Sequence, residues 1–124
     1  MTVITILQEA FDISANHLLT QGEPSYMDGS TSLCAYRGEN GKMCAIGALI
    51  PDDEYQEEME YKSVDDLFDD YEEALPSINQ LDKHFLATLQ RIHDVQPVEF
   101  WPFHLKKLAD NNDLTTENVK GLKQ

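Results

Sequence analysis

Twelve of the chain's 23 carboxylates fall between Asp52 and Glu73, where Lys62 is the only basic residue. A stretch this charged can join a folded domain in one way: its few apolar side chains reach the core from one face while the acids stay in water. The residues meet that condition. Ser63 is a capping residue with Asp66 three positions later, and Val64, Leu67, Phe68, Tyr71 and Leu75 recur at helical spacing up to Pro76. The spacing predicts an amphipathic helix from Ser63 with a carboxylate outer face.

The rest of the chain is also mainly helical in pattern. Thr2 to about Gln21 is apolar around much of a helix circumference and is stopped by Gly22 and Pro24; Gln21 to Ser32 reads as a loop. Ser77 is placed to cap a second amphipathic helix, with Ile78, Leu81, Phe85, Leu89 and Ile92 as its stripe, ending near Val95 before Pro97. Val98 to Leu108 carries Phe100, Trp101, Phe103 and Leu105, with Pro102 suited to a first helical turn. A last turn from Thr115 or Thr116 is expected to fray through Gly121, leaving a mobile tail from about residue 115. The β signal is Asn40-Gly41 between apolar runs, which predicts a hairpin turn and a strand at residues 33–37. Met43 to Ile50 suits either the second strand or a short buried helix stopped by Pro51. The expected fold is mainly α (α+β): about four helices in one domain spanning residues 1–124, with a small β-hairpin or single strand near residues 33–47.

At 124 residues there is room for one core. A net charge of −14 opposes direct contact with a nucleic-acid backbone or an anionic membrane, and favours solubility or attraction to a basic partner. No apolar run reaches the roughly 18 residues of a membrane span, and the first residues lack a secretory pattern, so a cytoplasmic setting is expected. Cys34 and Cys44 are too few for a disulfide framework and should be reduced thiols.

The candidate partner-binding residues are Asp65, Asp66, Asp69, Asp70, Glu72 and Glu73, whose density on one face would suit a basic groove built for nucleic acid. An alternative is a small cysteine-dependent enzyme: Cys44 near a helix N-terminus would be a thiol of lowered pKa, with His93 and Asp94 as base and orienting acid. A further alternative is a zinc-stabilised module drawing on Cys34, Cys44 and His17, His84, His93 and His104, although no Cys-x-x-Cys or His-x-x-x-His spacing is present. Asp110-Asn111-Asn112-Asp113 lacks the glycine and distal glutamate of a calcium loop, and neither metal nor cofactor is expected. The aromatic segment Phe100 to Phe103 is compatible with a symmetric homodimer.

Cys34-Ala35-Tyr36-Arg37, then Gly41-Lys42-Met43-Cys44-Ala45-Ile46-Gly47, then Leu49-Ile50-Pro51-Asp52 and Tyr55 resemble a group of short proteins from tailed bacteriophages and bacteria. Leu89-Gln90-Arg91-Ile92-His93-Asp94 and Trp101 extend the resemblance, which spans roughly residues 33–108. It implies a phage or prophage origin and a host cytoplasm. It names no catalytic residue, and it leaves Cys34, Tyr36, Arg37, Cys44 and Gly47 as a motif without an assigned role. The leading expectation is a small acidic, non-enzymatic protein that modulates or inhibits a basic, nucleic-acid-handling host or phage protein.

Overall fold

The computed structural model describes residues 3–27 and 34–122. Leu33, the start of the expected strand, and loop residues 28–32 lie outside that set. The described residues form four α-helices: α1 (Val3–Gln21), α2 (Val64–Tyr71), α3 (Lys83–Val95) and α4 (Trp101–Asn111), joined by turns and single 3-10 turns. None is long and apolar enough to cross a membrane.

Helix α3 is the centre of the packing, meeting both α2 and α4, and α4 also meets α1. Phe11, Phe68, Phe85, Leu89, Trp101 and Leu105 are buried where these helices converge; burial of each such side chain stabilises the fold by about 1.5–3 kcal/mol. Trp101, fully buried, satisfies its indole N–H on the Gln96 carbonyl at 3.0 Å, so its ring fills the core without an unpaired donor. Beyond α4, Leu114, Val119 and Leu122 are buried, and Gln8 and Asn16 of α1 bond the backbone of Thr115, Asn118 and Lys120.

The helix starts follow local chemistry. Ser63 Oγ accepts the Asp66 amide at 3.2 Å, capping α2 as its sequence predicts. Helix α2 ends at Tyr71 and tightens into a 3-10 turn over Glu72–Ala74, one turn before Pro76. The cap of α3 differs from expectation: Asp82 rather than Ser77 provides it, accepting the His84 amide at 2.8 Å. Ser77 is drawn away by Glu54, whose carboxylate takes both its amide and its hydroxyl. Ile78 and Leu81 are still buried, from turns instead of a helix.

The β element contracts to two isolated antiparallel bridges, Tyr26 with Cys34 and Arg37 with Met43. The Asn40-Gly41 turn forms with both residues at positive φ, 58° and 77°, as a hairpin turn requires. Side chains then replace the ladder. The Glu60 carboxylate accepts the Tyr36 and Arg37 amides at 2.9 and 3.1 Å, and Gln21 accepts the Met43 amide at 2.9 Å. With these donors taken, no continuous strand forms among the described residues. Residues 43–50 resolve toward the helical alternative: Met43 makes its bridge, and Gly47–Leu49 is one 3-10 turn packed on α1.

Candidate functional site

The resemblance-bearing segments, far apart in sequence, line one cleft of about 400 Å³. Cys34, Tyr36 and Cys44 form one wall; Gln90, Arg91 and Asp94 of α3 form another; Tyr61 to Asp65 make the rim at the start of α2.

Much of the motif is accounted for by what holds that wall in place. Gly47 lies against the Tyr36 backbone so closely that a Cβ there would stand 1.9 Å from the Tyr36 carbonyl oxygen. The Arg37 guanidinium donates to the Ile50 carbonyl at 2.8 Å, pairs with Asp52 at 2.6 Å and lies 4.6 Å from the Tyr55 ring centre. Glu60, buried, holds two backbone amides and also accepts the Tyr55 hydroxyl. Tyr36 donates its hydroxyl to the Lys62 carbonyl at 2.6 Å, tying the wall to the rim.

Cys44 is fully buried, and its sulfur accepts the Gly47 amide at 3.3 Å. That amide favours the thiolate, as a helix N-terminus would, but burial outweighs it and pushes the thiol up to about 12. The thiol grouped with His93 and Asp94 is Cys34: one ligand-type atom from each lies within 4.8 Å of the others. Burial first, and then the Asp94 charge and hydrogen bond, push Cys34 up to about 12 as well. Both thiols are therefore neutral near pH 7.

His93 is fixed at both ring nitrogens. The Ser25 amide donates to Nε2 at 2.9 Å, so Nε2 carries the lone pair and Nδ1 the proton, which points to Asp94 Oδ1 at 2.6 Å. The side chain is fully buried and stacks on Trp101 with ring centres 5.8 Å apart. A base needs a free lone pair facing its proton donor, and a metal ligand needs one facing the ion. Here the Ser25 amide uses it, so His93 pins α3 to the segment before Cys34. Cys34, His93 and Asp94 are the cluster of metal-ligand type among the described residues, but the His93 lone pair is occupied and Cys34 and Asp94 are hydrogen-bonded to each other. His17 bonds the Met43 carbonyl, while His84 and His104 stand elsewhere on the surface of α3 and α4.

The acidic stretch divides in two. Glu60 is buried and Glu54 half-buried, both holding backbone groups, and the other ten carboxylates between Asp52 and Glu73 are exposed. On α2, Asp65, Asp66, Asp69 and Asp70 face solvent opposite buried Val64, Leu67 and Phe68. Lys62 pairs with Asp70 at 2.8 Å, and Lys83 lies 3.9 Å from Asp69. Such exposed pairs neutralise little of the surface. Glu72 and Glu73 continue the acid past the helix end.

Sequence reasoning missed Glu60, hidden inside a run of acids, and Cys34 as the neighbour of His93 and Asp94. The only local signal for Glu60 is its position after Met59, itself fully buried. It also missed Tyr61, which has a left-handed φ of 68° and is 73% exposed. No protein-family model, curated protein or solved structure matches this chain.

Proposed function

We propose that this chain is a small non-enzymatic interaction protein that docks a basic, nucleic-acid-handling protein through Asp65, Asp66, Asp69, Asp70, Glu72 and Glu73. The observation that carries the reading is the exposure of all six, on a helix and turn whose apolar residues are committed to the core. A dense carboxylate face steers and orients a basic partner and repels anionic ones. The resemblance to tailed-phage proteins supports a host-cell setting for that partner and a modulating or inhibiting role. The cysteine-dependent alternative gains no support from two thiols held neutral, of which only Cys34 lies beside His93, whose lone pair is occupied.

The test is charge reversal of Asp65, Asp66, Asp69 and Asp70 to lysine in the full chain, with circular dichroism to establish that the fold persists. The native chain should retain a basic protein that, once repurified, binds it in a salt-dependent manner, and the reversed variant should not bind that protein. Unchanged binding by the variant, or capture of no basic protein, would remove the proposal.

A further inference from the structure

The cleft beside α2 carries three features that the surface reading leaves unused. Its inner side is Asp94, whose Oδ1 is oriented by His93 Nδ1–H at 2.6 Å and Gln90 Nε2–H at 2.9 Å and whose carboxylate also meets the Cys34 thiol, while a third of the side chain stays exposed. A carboxylate held by a buried histidine and a side-chain amide is preorganised, so it loses little freedom when a further donor arrives. Tyr61 stands at the rim, its ring outside the core and its backbone left-handed. That conformation costs a bulky residue about 1–3 kcal/mol and is retained where the surroundings hold it. Asp65 belongs to both the rim and the acidic face, making the two surfaces continuous.

Aromatic rings and carboxylates together recognise a guanidinium, which stacks on the first and forks its N–H donors onto the second. Two cations also line the cleft, and they bear on the sign of the ligand. Lys62 is committed to Asp70, but Arg91 has no carboxylate partner among the described residues. Arg91 would therefore oppose an incoming cation and assist an anion, which makes it a direct indicator of which charge enters.

Resting on the docking reading above, we infer that the cleft is the anchor point of that surface: it receives an arginine side chain of the basic partner, with Asp94 binding the guanidinium and Tyr61 covering it. A single anchored side chain in a pocket, surrounded by weaker exposed pairs, is the usual division of labour at a tight interface.

The experiment is a ¹H–¹⁵N NMR titration of the full chain with hexa-arginine, and separately with N-acetyl-arginine amide. The amides of Tyr61, Gln90 and Asp94 should shift with both probes. Asp94→Asn should weaken hexa-arginine by about tenfold, and Arg91→Gln, on an exposed site that leaves the fold intact, should strengthen it by about threefold. If Asp94→Asn fails to fold, Tyr61→Ala replaces it, with loss of the N-acetyl-arginine amide shifts as the expected result. Shifts confined to residues 65–73 would overturn the anchor while leaving the acidic surface as the docking face. Weaker binding on Arg91→Gln would mean that the cleft takes the opposite charge, and would also overturn it. No shift anywhere with hexa-arginine would overturn both readings.

Discussion

Glu60 and Asp66 are six residues apart in the same acidic run, and they do opposite things. Glu60 is buried and takes two backbone amides and a tyrosine hydroxyl, so its charge is spent within the fold. Asp66 gives its backbone amide to the Ser63 cap and leaves its carboxylate in water. The difference teaches that a run of like charges is not one feature. An inward carboxylate holds two segments together and costs much to remove; an outward one contributes little to stability and is available to a partner.

The sharpest way to break this comparison is at the wall that Glu60 supports. Gly47→Ala drives a methyl into the Tyr36 carbonyl, where backbone has to move; a loss of about 3 kcal/mol or more is expected, read by urea denaturation. Glu60→Ala leaves the Tyr36 and Arg37 amides without their acceptor and should cost about 3 kcal/mol by the same measurement, at 1–3 kcal/mol per orphaned group. Loss of less than about 1 kcal/mol would show that Glu60 is a surface acid like its neighbours.

A separate effect is expected from pH. Cys34 and Cys44 are both raised to about 12 from 9.0, first by burial, so the folded state holds their protons more tightly than the unfolded state. Their contribution is complete below pH 9 and is lost as pH rises from about 9 toward 12. Stability should fall over that window, and replacing Cys44 with alanine should flatten the fall. Alkylation of Cys34 by iodoacetamide should keep accelerating above pH 9 without reaching a plateau. A plateau near pH 7 would instead identify a reactive thiolate.

Ser63→Ala removes the α2 cap and should cost about 1 kcal/mol. The smallest effects belong to the outer face: Asp69→Asn and Glu73→Gln should each change stability by less than about 0.5 kcal/mol.

What the sequence made legible follows the range of the forces involved. Helix α1, the Ser63 cap, the end of α3 before Pro97 and Pro102 near the start of α4 all rest on residues within a turn or two of each other, and each is where its spacing predicts. The start of α3 is not legible locally, because Ser77 and Asp82 are equally good caps and the choice is made by Glu54, 23 positions before Ser77. The hairpin shrank for the same kind of reason, since Glu60 and Gln21 supply acceptors from other parts of the chain. At the candidate site, the acidic face was legible from periodicity alone. The cleft was not: that Cys34 rather than Cys44 joins His93 and Asp94 depends on how α3 packs against a loop about 60 residues earlier, a distance of the kind reflected in the 68-residue separation of Ser25 and His93.

The central claim is that the outer carboxylates of α2 bind and do not fold. It is tested most directly by calorimetric titration of the captured basic protein with the native chain and with a variant in which Asp65, Asp66, Asp69 and Asp70 are all asparagine, at two salt concentrations. Four exposed pairs at about 0.7 kcal/mol each predict a loss of about 100-fold in affinity, a weaker dependence on salt, and only a small change in melting temperature. An affinity equal to that of the native chain, with the fold intact, would contradict it.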